Sequence, residues 1–346
     1  MQLGPHDDYG QTIPPKKRRS LGSFVPAKLH TFSSALILIA LVSFSGNLAF
    51  AYMSFVKQGL DPEIIPQQLG SDDAESHVPV ISPSVHFKSI EKPAALTLTA
   101  QSYLVADAET GEIILEKDAD KPYPMASVSK LLTAIVAREQ IDSRHIATVS
   151  KNSYNTYGSE GDLSSGEKIL VSDLYYPLLI ESSNDAAEVL ADDFGREKFM
   201  TLINQKAAAL GMYSTSYEDP SGLSPLNVST SHDLAMLGLH IYAEYPELLD
   251  ITRIKEYSIY SHAWANSNVF LTYPNFLGGK NGFTNEARRS TLSFFKVFLR
   301  GSDENSKAES RPLLIVLLRS SDRDKDVSAL LSFVTRNIRY ESDISE

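Results

Sequence analysis

The chain has 346 residues, 42% apolar and 22% charged, with a net charge of -11 and no cysteine. That length and apolar share allow one large or two ordinary domains with a substantial core. The acidic balance excludes a general nucleic-acid binder, and the missing cysteines exclude disulfides, thiol nucleophiles and thiolate metal sites together.

Residues 1–30 are polar and carry the run Lys16-Lys17-Arg18-Arg19. From Thr31 to Val56 there is no charge, and Leu36–Val42 forms an apolar centre. About 20 apolar residues cross a bilayer as a helix, so 31–56 is read as a transmembrane anchor. The basic side precedes it, which predicts a cytoplasmic tail at 1–30 and an external chain after Lys57. Ala49-Phe50-Ala51 offers the alternative of a signal peptide cleaved near Ala51, and both readings export the rest. Residues 57–98 hold five prolines and no sustained period, the composition of a stalk.

A domain is expected over 99–346. Ser102–Asp107 and Glu112–Glu116 read as two strands joined by a hairpin turn at Ala108–Gly111. After Pro124 a helix is expected to open near Ser127, and residues 150–170 read as a loop or lid. Ser172-Asp173 begins a short apolar helix that breaks at Glu181–Asn184. Further helices are expected at about Asp185–Ala191, Arg196–Leu210 and Ser231–Tyr242. The last third changes period: Tyr257–Tyr260, Thr291–Leu299 and Pro312–Leu318 read as strands, and Asp326–Ile338 as a closing helix. The fold class is α+β, an antiparallel sheet packed with helices plus a mostly helical subdomain.

Three short motifs carry chemistry. Ser-x-x-Lys occurs five times, at Ser54/Lys57, Ser89/Lys92, Ser127/Lys130, Ser165/Lys168 and Ser293/Lys296. Only Ser127/Lys130 opens a convincing helix, where an offset of three sets the ammonium beside the hydroxyl. A lysine with a lowered pKa can take the serine proton and activate it as a nucleophile. Ser182-Ser183-Asn184, in a break between helices, can project a hydroxyl and an amide into a cleft. Gly278-Gly279-Lys280-Asn281-Gly282-Phe283-Thr284 adds a cation and open backbone N–H groups at a strand start. The eight histidines form no HExxH pair, and no Gly-x-Ser-x-Gly, P-loop or GxGxxG is present, so no metal and no cofactor is expected.

In this order and spacing the motifs resemble those of the D-alanyl-D-alanine carboxypeptidases, the low-molecular-weight penicillin-binding proteins. The phrases SYLVADAETGEIILEKDADKPYPMASVSKLLTA, ESSNDAAEVLA, FMTLINQKAAALGMYSTSYEDPSGL and STSHDLAMLGLHIY extend the resemblance over roughly 100–340. It implies Ser127 as the acylated nucleophile and Lys130 as its base, with Ser182 and Asn184 relaying protons and holding the substrate amide. Lys280, with Asn281, Gly282, Phe283 and Thr284, would bind substrate, and the N–H groups of Ser127 and Phe283 would form the oxyanion hole. The implied partners are peptidoglycan stem peptides ending in D-Ala-D-Ala, β-lactams as covalent inhibitors, and a bacterial cell membrane with the domain outside.

The chain departs from the family at Asn281, where threonine is usual, and at Ala287-Arg288, where Ala-Gly is usual and a bulky charge is expected near the cleft. The small second β-domain of some members is not expected. Glu218 is followed four residues later by Gly222, not asparagine, which speaks against a class A β-lactamase. A D,D-endopeptidase and a catalytically weak peptidoglycan-binding scaffold are the alternatives.

Overall fold

The computed structural model describes residues 85–158, 161–302 and 307–342. The expected tail, anchor and most of the stalk lie outside the described residues, among which no helix is long and apolar enough to cross a membrane.

A seven-stranded sheet organises the domain. Its strands are β1 (Val85–Ser89), β2 (Ser102–Asp107), β3 (Ile113–Lys117), β4 (Phe276–Thr284), β5 (Arg288–Gly301), β6 (Glu309–Ser320) and β7 (Ile338–Ser342). The order is β1-β7-β5-β6-β2-β3, with β4 paired to the first half of β5. Every pairing is antiparallel except the two-residue contact of β5 with β7. Alternate residues of β5 and β6 feed opposite cores, as the two-residue period of a strand requires. Leu292, Phe294, Leu314, Val316 and Leu318 join the core on the face toward the helical subdomain. Phe295, Val297, Leu313, Ile315 and Leu317 join a second core beneath the closing helix. Burial on both faces explains why Pro312–Leu318 is a continuous apolar run.

The helices are α1 (Lys130–Gln140), α2 (Lys151–Tyr154), α3 (Val171–Tyr176), α4 (Asn184–Phe194), α5 (Arg196–Ala209), α6 (Ser231–Glu244), α7 (Pro246–Thr252) and α8 (Arg323–Asn337). α1 is buried from Lys130 to Ala137 because α4, α5 and the turns Ala126–Ser129 and Pro177–Glu181 surround it. α6 lies on β2 and β6, and α8 covers the opposite face of β5 and β6.

Four expectations change. Val85–Ser89, inside the expected stalk, is an edge strand against β7, so the sheet includes residues before the expected domain start at 99. The strand expected at Tyr257–Tyr260 is Glu256–Ile259, which pairs with His262–Ala265 in a separate ribbon. The segment 150–170 holds α2 and a strand, Lys168–Leu170, paired with Ile146–Thr148, besides its loop. The closing helix stops at Asn337, and Ile338 starts β7. Two carboxylates fasten the ends: Asp326 accepts from the N–H groups of Thr99 and Ala100, and Asp107 takes two bonds of 2.8 Å from Arg311.

Candidate active site

The Ser127 segment enters the fold from Tyr123-Pro124, which pairs with Val228-Ser229. Ala126 then takes a left-handed backbone (φ 51°), turning Ala126–Ser129 into a single 3-10 turn before α1 begins at Lys130. Ser127 is half-buried, whereas Lys130 is fully buried. The Lys130 amine lies 3.0 Å from Ser127 Oγ, 2.7 Å from Asn184 Oδ1 and 2.5 Å from the Ser221 carbonyl oxygen. A carbonyl oxygen only accepts, so a neutral amine spends its two N–H bonds on Asn184 and Ser221. Its lone pair then faces the Ser127 hydroxyl, the orientation a proton acceptor needs. Burial lowers the Lys130 pKa to about 7, with Asp219 and Glu188 pulling it back upward.

The second segment leaves α3 through a π-helical turn at Pro177–Glu181, and Ser182 follows in the left-handed region (φ 69°). Ser183 accepts from Ala186 N at 2.9 Å and so caps α4, which begins at Asn184, one residue earlier than expected. The turn sets Ser182 Oγ 2.8 Å from Lys280 Nζ. Asn184 also donates to the Tyr157 carbonyl at 2.9 Å, tying down the loop after α2. Glu181, just before the motif, is raised to about 7 by burial and by neighbouring Asp162.

The third segment is β4, which pairs with β5 along one edge and passes Ser127 along the other. A methyl group at Gly282 would sit 2.9 Å from Ser127 N, so the glycine permits this approach. Lys280 is buried and held well below the ordinary lysine value by burial, then by Lys130 and Arg323. Asn281 donates to Asn268 Oδ1 at 2.9 Å and accepts from Thr291 at 2.8 Å. Phe283 is exposed with the Arg289 guanidinium over its ring, and the Thr284 hydroxyl accepts from Ala287 N within the hairpin turn. Arg288 is exposed at that turn, and Glu218 is exposed outside the lysine cluster.

The structure thus joins Ser127, Lys130 and Asn184 in one hydrogen-bonded group and Ser182 with Lys280 in a second. The other described Ser-x-x-Lys pairs form no such group: Ser89, Lys92, Ser165 and Lys168 are exposed, and Ser293 is buried while Lys296 points out, whereas Ser54/Lys57 lies outside the described residues. Three contributors escape the sequence reading. Asp219 folds the turn that carries the Ser221 carbonyl, and Asn268 holds Asn281. Arg323 donates to the carbonyls of Gly282 and Ser290 beneath β4. Only Asp219, in an Asp-Pro-Ser-Gly run, gives a local turn signal.

A serine and a desolvated lysine on a helix start, closed by a sheet edge, define a serine acyl-transfer scaffold of the penicillin-binding type. The chain belongs to the D-alanyl-D-alanine carboxypeptidase family, whose sequence profile matches residues 88–294. It is 33% identical over 208 residues to the D-alanyl-D-alanine endopeptidase of Pseudomonas aeruginosa, covering 56% of this chain and 66% of that protein. It is 31% identical over 200 residues to the carboxypeptidase DacB2 of Mycobacterium tuberculosis, covering 55% of this chain and 68% of that protein. The matches span about half to two thirds of the length of such relatives. A solved D-alanyl-D-alanine carboxypeptidase from M. tuberculosis superposes with a TM-score of 0.63 at 25% identity, covering 71% of this chain and 95% of its own. Penicillin-binding protein D2 of Listeria monocytogenes, bound to cefotaxime, does so with a TM-score of 0.59 at 26% identity, covering 69% and 98%.

Proposed function

We propose that this chain is a serine-type D-alanyl-D-alanine carboxypeptidase that trims peptidoglycan stem peptides through an acyl-enzyme. One observation carries the reading: the Lys130 amine faces Ser127 Oγ while Asn184 and Ser221 occupy its N–H bonds. Ser127 Oγ attacks the carbonyl carbon of the penultimate D-alanine and passes its proton to Lys130. The developing oxyanion is met by the N–H groups of Ser127 and Phe283. The C–N bond then breaks, and the proton taken up by Lys130 passes through Ser182, which Lys280 contacts, to the leaving amine of the terminal D-alanine, returning Lys130 to its neutral form. Water hydrolyses the ester and restores Ser127. The Arg323 guanidinium, with Lys280 in its protonated form, draws the substrate's terminal carboxylate toward β4.

Intact-mass spectrometry after penicillin treatment tests this. One adduct is expected in the wild type and none in Ser127→Ala; an adduct retained by the mutant would remove Ser127 from the role. The identities to endopeptidases of P. aeruginosa and Escherichia coli, 33% and 31%, favour a second reading, cleavage of D,D-cross-links. Release of free D-alanine from pentapeptides, compared with cleavage of cross-linked dimers, separates the two.

The uncharged run Thr31–Val56 behind Lys16–Arg19 supports a single-pass anchor with the catalytic domain outside the bacterial membrane. Protease added to intact spheroplasts is expected to digest the domain and spare an N-terminal tag. A protected domain would overturn both the location and the substrate.

A further inference from the structure

The turn after Glu218 is built around one carboxylate. Asp219 accepts from the N–H groups of Ser221 (2.8 Å), Gly222 (2.6 Å), Leu223 (3.3 Å) and Ser224 (2.6 Å), and from the Ser221 hydroxyl (2.8 Å). Asn227 closes the turn from outside by accepting from Glu218 N and Asp219 N and donating to the Asp219 carbonyl. On its inner side the turn touches the nucleophile segment three times. The Ser221 carbonyl faces Lys130 Nζ, and the Pro220 carbonyl accepts from Thr133 at 2.7 Å. Gly222, at φ 84°, is so close to Ala126 that a methyl group there would lie 2.1 Å from the Ala126 carbonyl oxygen.

Lys130 is faced by charged groups from three elements: Asp219 from this turn, Glu188 from α4 and Lys280 from β4. Glu188 is paired with its own cation, Arg196, which also neighbours Asp192. Asp219 forms no ion pair among the described residues, and its partners are N–H and O–H dipoles that hold it ionised. Burial opposes that ionisation, but the bonds from Ser224, Ser221 and Gly222 win and keep its carboxyl below the usual range. Arg196 feels Asp219 only after Glu188 and Asp192, so Asp219 acts on Lys130 without a cation bonded to it.

We propose that Asp219 is the positioning residue for Lys130: its carboxylate folds the turn that aims the Ser221 carbonyl at the amine, and its charge stabilises the ammonium formed when Ser127 gives up its proton. The inference rests on the reading of Ser127 as nucleophile and Lys130 as base. The proton balance is local, since Ser127 loses it, Lys130 gains it, and Asp219 stays an anion throughout. Desolvation alone would leave Lys130 a poor acceptor. The buried anion restores enough basicity for proton transfer near neutral pH.

The experiment is the rate of acylation of the full chain by a fluorescent penicillin, measured from about pH 5 to 9. In Asp219→Asn the acid limb is expected to move down by on the order of one pH unit, with a lower plateau. Asp219→Ser, which retains a turn-forming acceptor without charge, should move it likewise and serves if the asparagine variant fails to fold. Asp219→Glu should slow acylation but leave the limb in place. Thr133→Val, which releases the same turn at Pro220 without removing charge, should also slow it without a shift. Glu181→Gln identifies any part of the limb that belongs to Glu181. An unmoved limb in both neutral variants, or an equal shift in Asp219→Glu, overturns the proposal. No acylation of the wild type at any pH would instead overturn the catalytic reading and this inference with it.

Discussion

Asn281 donates its amide to Asn268 across 2.9 Å, and this contact fixes which way the carboxamide faces. Asn268 cannot flip to evade it, because its oxygen also accepts from Phe270 N and its nitrogen donates to the Gly279 carbonyl. The Thr291 hydroxyl occupies the Asn281 oxygen. One N–H of Asn281 is left over on the strand that carries Lys280, where the resembling family has a threonine hydroxyl.

If that N–H reads the substrate carboxylate, Asn281→Ala should reduce kcat/KM on D-Ala-D-Ala peptides by about 1.5–3 kcal/mol, the usual worth of a hydrogen bond to a charged group. Asn268→Ala should give a smaller loss in the same direction, by letting the amide turn. Peptides amidated at the C-terminus should lose much less in both variants. Equal losses on free and amidated peptides would show that Asn281 does not sense the carboxylate.

A buried lysine poised near neutrality predicts its own pH dependence. Burial lowers the pKa of Lys130 to about 7, so the neutral amine that can accept a proton grows as pH rises through that value. Acylation should therefore climb through about pH 7. Lys130→Arg keeps a cation in the site but has no neutral form, so it should lose at least roughly 10³-fold in acylation rate, like Lys130→Ala. Intact-mass kinetics with penicillin measure this. An arginine variant that still acylated quickly would mean that the residue supplies charge and some other group takes the proton.

Much of this was legible because local chemistry and tertiary structure agree. The Ser127/Lys130 offset, the apolar runs of β5 and β6, and the helix break at Glu181–Asn184 all announce themselves within a few residues. What stayed hidden depends on partners distant in sequence. Asn268 has meaning only opposite Asn281, and Val85–Ser89 becomes a strand only because Ile338–Ser342 returns beside it. Glu256–Ile259 has the right period for a strand, yet period alone does not say which sheet it joins. Arg323 lies just before the expected helix start, where a surface position would be the default. Its burial beneath β4 follows from how α8 crosses β5.

The pair Asp107–Arg311 bears on stability. Both side chains are buried, and the guanidinium meets the carboxylate through two bonds of 2.8 Å while Asp107 also accepts from Glu109 N and Thr110 N. Removing one partner strands the other without compensation, so Arg311→Ala should destabilise the domain by roughly 3–5 kcal/mol. Arg311→Met combined with Asp107→Asn should cost less than the single alanine change. Urea unfolding of the three proteins decides it, and a loss under about 1 kcal/mol for Arg311→Ala would mean that water replaces the guanidinium.

Gly282 tests the proposed oxyanion pocket most directly. A methyl group there would lie 2.6 Å from Ser290 Oγ and 2.9 Å from both the Met125 carbonyl oxygen and Ser127 N, closer than packed atoms tolerate. Ser290 in turn donates to Met125 O at 2.8 Å, so the strand and the nucleophile segment are stitched together at this point. Gly282→Ala should push β4 outward and separate the N–H of Phe283 from that of Ser127. Misplacing one such donor costs about 10²–10³ in rate. The acylation step with penicillin should slow by that factor, while initial noncovalent binding weakens far less. Stopped-flow fluorescence resolves the two, and thermal melts check that the expected overpacking loss, about 1–3 kcal/mol, leaves the domain folded. A folded Gly282→Ala variant that acylates at the wild-type rate would remove the β4 edge from the catalytic account, leaving Ser127 and Lys130 without that partner.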